Sequence, residues 1–262
     1  MPIERIFPVV VAGDAPALLE LTLSSLREFP EVIVHVQETR DELVALCAAF
    51  PNTHLIVRAD LVGGRARNHG ASVAAGEWIL ALTAGEFPSD CLLASLKQVE
   101  LDDLDAVYAI EQHRLLMSRP IRWGGWRPRW RARLYNRHRY QFRETPLAEQ
   151  LVLASNTRRK ALKGTLWFEP VESLEGLLHA TAERARLRRW IFPQRHSAAV
   201  AALRSLWIFL ADFVLRLGCL EGRRGFIVAI AASVETFFAC VAWPAKSSET
   251  DTARTISKQQ MR

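Results

Sequence analysis

The stretch GGRARNHGASVAAGEWILALTAGE, residues 63–86, decides the fold. Residues 66–75, ARNHGASVAA, are a small-residue helix, and residues 77–82, EWILAL, a short apolar run of the kind a doubly buried strand presents. The same alternation runs upstream. Residues 6–13, IFPVVVAG, are a β-branched run closed by glycine, and residues 16–29 place Leu18, Leu19, Leu21, Leu23 and Leu26 near helical spacing behind Pro16, at a first-turn position. Residues 31–36 read as strand, 40–50 as helix and 54–59 as a third strand. Strands and helices at this spacing predict βαβ units, hence an α/β fold with a mostly parallel, Rossmann-like sheet covered on both faces. Ligands of such sheets bind beyond the carboxyl ends of the strands, so the loops after Val11, Val36 and Leu82 are where chemistry is expected.

The pattern changes after about residue 100. Residues 105–113 are one more strand, and residues 118–142 are rich in Arg and Trp, interrupted by Gly124, Gly125 and Pro128. Residues 160–168 read as strand and 172–190 as a helix with Leu174, Leu177, Leu178 and Ala182 on one side. Two apolar helices follow, 196–218 and 225–243, ended by Pro244 and a polar tail. Divisions are expected at 1–115, 116–170, 171–246 and 247–262, the last a disordered tail.

At 262 residues, 50% hydrophobic and 24% charged, the chain is globular and long enough for a full core. Its net charge of +6 favours anionic partners: phosphate-bearing small molecules, anionic lipid or nucleic acid. Cys47, Cys91, Cys219 and Cys240 are scattered without metal-ligand spacing, and are read as reduced thiols of a cytoplasmic protein. The N-terminal apolar run is too short for a span and lacks a secretory signal's flanks. His35, His69 and His138 have no metal-binding spacing.

On the first C-terminal helix Arg204, Asp212 and Arg216 form a polar stripe, and the second carries Glu235 at its middle. With Arg184, Arg186, Arg188, Arg189 and Arg195 just before them, these helices suit a monotopic hairpin lying in an anionic membrane interface. An ordinary packed pair of a soluble domain is the alternative.

With these elements in place, the chain resembles the family 2 glycosyltransferases of GT-A type, and more narrowly the bacterial lipopolysaccharide core glucosyltransferase group. Gly64, Ala66-Arg67-Asn68, Gly70, Ala75-Gly76 and Trp78-Ile79-Leu80 match the helix and strand that lead to the family's acidic metal motif. Gly124-Gly125-Trp126, Pro128, Trp130 and Arg133-Leu134-Tyr135 match its GGW-x-P-x-W…RLF segment. Phe142, Pro146 and Glu149 fit the acceptor-side stretch, and Leu215-Arg216-Leu217-Gly218, Glu221-Gly222 and Gly225-Phe226 fit the terminal pattern.

The resemblance implies a nucleotide-sugar-binding domain over 1–115, an acceptor-side extension over 116–170 and a membrane-associating helical region over 171–246. It implies inverting transfer of a hexose from a nucleotide-sugar donor to a lipid-linked saccharide, such as the lipopolysaccharide core, at the cytoplasmic face of the inner membrane. Asp14, Glu38, Arg65, Arg67, Asn68, Thr83 and Glu86 are the implied donor-binding set; Trp126, Trp130 and Arg133 the acceptor-binding set; Glu149 the catalytic base, with Glu144 as its rival. The family's divalent cation, magnesium or manganese, meets a departure here: Thr83 and Gly85 stand where its ligands are expected, leaving only Glu86 acidic. Either Glu86, with Asp14 or Glu38, holds the ion in a shifted geometry, or arginines neutralise the diphosphate directly. A non-catalytic relative that binds a glycan, nucleotide or partner enzyme is the reading from another class. Binding of RNA by the Arg/Trp segment is set aside, because its Gly, Trp and Pro positions fit the transferase pattern and no RNA-binding motif accompanies them.

Overall fold

The computed structural model describes residues 2–144, 150–191 and 197–241. Nine strands form one sheet. Strands β1 (Ile6–Val11), β2 (Val32–Val36), β3 (Thr53–Val57) and β4 (Trp78–Thr83) alternate with α1 (Pro16–Ser25), α2 (Asp41–Ala48) and α3 (Gly64–Val73). Then come β5 (Glu86–Pro88), α4 (Asp90–Gln98), β6 (Ala106–Leu116), β7 (Arg119–Pro120), β8 (Arg129–Asn136) and β9 (Arg158–Phe168). The order across the sheet is β3-β2-β1-β4-β8-β6-β9-β5, with β7 paired to β6.

The first four strands are parallel, as alternation with helices requires. The rest of the sheet is not. β8 runs antiparallel to both β4 and β6, β9 is parallel to β6, and β5 is antiparallel to β9, so the expectation of a mostly parallel sheet gives way to a mixed one. The two-residue connection Met117–Ser118, both with positive φ, folds β7 straight back antiparallel onto β6, since a parallel return needs a crossover of roughly a dozen residues. β8 and β9 come from the residues assigned to an acceptor-side extension, and both lie within the sheet itself.

Period-2 burial sorts the strand side chains into two layers. Ile6, Val10, Val34, Leu80 and Leu82 pack with Leu19 and Leu23 of α1, Leu43 of α2, and Leu92 and Leu96 of α4. Val9, Ile33, Ile79 and Ala81 face the opposite way, onto Ala71 and Ala74 at α3 and onto Tyr135 and Phe142. The small residues of α3 follow from this contact: a Cβ on Gly70 would stand 2.5 Å from Cγ1 of Val9.

Helices α5 (Leu174–Ile191), α6 (Ala198–Leu210) and α7 (Arg223–Cys240) complete the described chain, with a π-helical turn over Ala211–Leu215 and a 3-10 turn over Gly218–Glu221 between the last two. They dock through Leu177 of α5 and Val228 and Ala231 of α7 onto Leu116, Ile121 and Trp126. Glu235, a carboxylate in the middle of an apolar helix, is met by Arg184 at 3.5 Å and Arg188 at 3.3 Å from α5. The segment 247–262 and Trp243 lie outside the described residues.

Candidate functional site

Beyond the carboxyl ends of β1 and β4 opens a cleft of about 810 Å³. One wall is the turn from β1 into α1, Gly13 to Pro16 with Leu18, and Thr83 and Ala84 close its floor; the other wall is the end of β9 and the start of α5, from Phe168 to Ala180. The first turns of α1 and α5 thus both line it, and a helix N-terminus carries partial positive charge with outward N–H groups. The lining side chains with full charge are acidic, Asp14, Glu172 and Glu175, joined by His179. Asp14 is shared with Arg40, at 3.0 Å.

Under the floor lies a buried charge network. Glu86 has no solvent exposure. Its Oε1 accepts from Nη2 of Arg133 at 2.6 Å and from Nε2 of Gln112, while Oε2 accepts from the Thr83 N–H at 2.8 Å. Arg67, 3% exposed, donates to the Leu82 carbonyl at 2.9 Å and to the Thr83 hydroxyl at 2.7 Å, and stacks over the Phe142 ring. The turn that carries Glu86 inward passes through Gly85, whose φ of +88° suits glycine, and whose N–H donates to the Thr22 hydroxyl at 2.9 Å.

This placement corrects several expectations. Glu86 cannot present its carboxylate to a diphosphate or a cation in the cleft, since it is sealed inside the protein and satisfied there. Arg133, 1% exposed, is its internal counter-ion and offers no surface to an acceptor. Trp126 is 8% exposed and packs against α7 with Arg114 over its ring, so it does not stack on a sugar; Trp130, 55% exposed, remains open to one. Arg67 braces the end of β4. Asn68 clamps the Phe142 backbone, donating to its carbonyl at 3.0 Å and accepting from its N–H at 2.8 Å. Glu38 is exposed in the turn after β2 and is not part of the cleft lining.

The Asn68 clamp matters for the acceptor-side stretch. It ties residue 142 to α3, and the next residues cross the helix start so closely that any Cβ on Gly64 would run into the Arg143 carbonyl. Glu144 is exposed and pairs with Arg65 at 3.4 Å. Glu149 lies outside the described residues.

The residues at the end of β4 do not fit a divalent cation. Thr83 is neutral and already accepts from Arg67, Gly85 has no side chain, and Glu86 is committed elsewhere. Among the described residues no three His, Cys, Asp or Glu side chains are grouped to hold a metal.

The wall formed by Glu172, Ser173, Glu175 and His179 escaped the sequence reading, which took residues 172–190 as a packing helix. The signal present was Ser173, whose hydroxyl accepts from the Gly176 N–H at 3.0 Å and so marks a helix start at the cleft.

The sequence model described as Glycosyl transferase family 2 matches residues 9–165. Solved structures match at low identity and low TM-score. The S. aureus protein TarS, residues 1–349, in complex with UDP is 15% identical, with a TM-score of 0.45 over 88% of this chain and 90% of that one. A nucleotidyl transferase from Methanothermobacter thermautotroptrophicus, Mth528, is 15% identical with a TM-score of 0.33, over 40% of this chain and 62% of that one.

Proposed function

Since the chain belongs to glycosyl transferase family 2, we propose that it moves a hexose, with inversion, from a nucleotide-diphosphate sugar to a lipid-linked saccharide of the lipopolysaccharide core or a similar envelope glycan, at the cytoplasmic face of the inner membrane. The observation that carries the reading is the cleft itself. It lies at the carboxyl edge of the parallel strands, where α/β sheets bind nucleotides, and its volume suits a nucleotide sugar.

In the proposed reaction the acceptor hydroxyl oxygen attacks the anomeric carbon as the bond to the diphosphate oxygen breaks, and the hydroxyl proton passes to a carboxylate. Glu149 is assigned that role, with Glu144 as the rival. The departing diphosphate gathers negative charge, and the partial positive charge of the helix starts that line the cleft would offset part of it. The end of β4 offers no ligands for a metal, since Thr83 accepts from Arg67 and Glu86 is paired with Arg133.

Release of nucleotide diphosphate, measured across common sugar donors with core-oligosaccharide acceptors, tests the reading. Turnover that persists in chelator supports it as stated. Turnover that needs magnesium or manganese removes the metal-free part. Replacing Glu149 with Gln is expected to abolish turnover and spare donor binding, and unchanged activity transfers the base assignment to Glu144. A non-catalytic relative is the second reading, favoured by the internal neutralisation of Glu86; donor binding without turnover for any pair tested would establish it.

A further inference from the structure

Helix α6 is built inside out for a water-exposed helix. Its inner side, Ala201, Ser205 and Asp212 continuing into the π-helical turn, packs into the protein, and the Ser205 carbonyl accepts from Ser233 of α7 at 3.0 Å. At about 100° per residue the opposite face consists of Leu203, Leu206, Trp207, Leu210 and Val214. These are 69%, 54%, 60%, 40% and 51% exposed. A soluble surface helix carries polar side chains on that arc.

The charges around this face are sorted. Residues 197–241 contain three carboxylates, and each turns onto the protein: Asp212 is buried and paired with Arg216, Glu221 accepts the Arg122 N–H at 2.7 Å, and Glu235 is held by Arg184 and Arg188. The exposed Arg223 instead borders an apolar groove of about 450 Å³ with Phe213, Phe226 and Ile227, next to the end of α6. Outward charge beside the apolar face is therefore positive.

We infer that the outward face of α6 docks into the interfacial layer of an anionic lipid bilayer, with the helix in the membrane plane. The inference rests on the lipid-linked reading for its place in catalysis. A second copy of the chain fits less well, because the three carboxylates of residues 197–241 all turn onto the protein and leave none on this face to meet a partner's outward Arg223. Anionic headgroups complement that charge, and Trp207 is the residue type that anchors at the membrane-water boundary. By length and composition Ala198–Leu215 could cross a membrane. Its attachments oppose that. α6 packs along α7, α7 is ion-paired to α5, and the Arg216 carbonyl accepts from the Gly124 N–H at 2.9 Å, so the helix is held to the body along its length.

Co-sedimentation of the full chain with vesicles tests this without donor or acceptor, so its outcome is separate from that of the transferase assay. The protein is expected to pellet with phosphatidylcholine vesicles containing phosphatidylglycerol, not with phosphatidylcholine alone, and to be released by alkaline carbonate. Leu203→Ser, Leu206→Ser and Trp207→Ser together should weaken binding by roughly 100-fold with an unchanged circular dichroism spectrum. Arg223→Glu should weaken it by about 10-fold. Wild-type protein that stays in the supernatant with both vesicles, or a triple variant that binds equally well, overturns the inference. So does resistance to carbonate, which indicates a span, and so does a solution dimer that the triple variant converts to monomer while vesicles are ignored.

Discussion

Glu86 shows how a single residue can keep a motif's charge and lose its availability. Its carboxylate sits one position past the end of the family's acidic site, and the Gly85 turn swings it under the sheet edge onto Arg133 and Gln112. A buried pair of this kind contributes little net stability against an apolar pair, but removing one partner strands the other charge. Glu86→Gln is therefore expected to destabilise the fold by about 3–5 kcal/mol, read from the midpoint of urea unfolding. A shift below about 1 kcal/mol would mean that Arg133 finds another counter-ion. His35 gives the second prediction at this scale. It is fully buried on β2, its ring 5.9 Å from that of His69, and burial first, then the neighbouring His69 and Arg58, hold its pKa below the ordinary 6.5. Above pH 6.5 the imidazole is neutral folded or unfolded and stability is unaffected. Below it the unfolded chain takes up a proton that the folded chain refuses, so stability falls with pH until the folded-state pKa is reached. His35→Leu should flatten that acid limb in thermal melts taken from pH 7 downward; an unchanged slope assigns the loss to other groups. The burial of Glu86 was invisible in the sequence, where an acid just after a strand reads as a ligand; His35 lies inside a strand run and reads there as structural or surface, and the structure makes it structural.

Elements meet here through glycines placed where a side chain would block the contact. Gly70 lets α3 lie on Val9, and the GGW turn lets the end of α6 reach the sheet domain: Gly125 faces the Asp212 carboxylate, and a Cβ on Gly218 would come within 2.5 Å of the Asp212 carbonyl. Two segments nearly a hundred residues apart, each recognisable as a motif, are thus the two halves of one joint. Gly225 at the start of α7 belongs to it too, since a Cβ there would collide with the Gly218 backbone carbonyl, which cannot rotate aside. Gly225→Ala is expected to cost about 1–3 kcal/mol and to raise protease cutting within residues 197–241, as the hairpin lifts from the GGW turn. Wild-type resistance in limited proteolysis would show that the joint tolerates the methyl. Helices α1 to α3, α5 to α7 and the first four parallel strands were legible from periodicity, whereas β5 and α4 between residues 86 and 98 were not. Strand β8 was missed too, although Trp130, Ala132 and Leu134 alternate with arginines at strand spacing, because the Arg/Trp-rich run with its Gly and Pro breaks reads as one irregular segment; its place beside β4 is set by pairing across distant sequence.

The whole molecule carries a net charge of +6, yet its cleft is lined by Asp14, Glu172 and Glu175. An anionic nucleotide must then be drawn in by the overall field and the helix N-termini against the local carboxylates. Neutralising two of them, Glu172→Gln with Glu175→Gln, should tighten metal-free binding of a nucleoside diphosphate by roughly 3- to 10-fold at low salt, measured by calorimetry, with the gain fading as salt rises. Weaker binding would assign these acids to the nucleotide's recognition instead. Local sequence by itself determined the four parallel strands, the helices between them, the family and the apolar character of the C-terminal hairpin, because each of these follows from the spacing of side chains along one segment. Only the tertiary structure decided that β8 and β9 enter the same sheet, that Glu86 and Arg133 spend their charges on each other, and that the start of α5 closes the cleft. Those outcomes depend on which distant segments come together, and burial converts a residue's charge from an offer to a ligand into a bond within the fold.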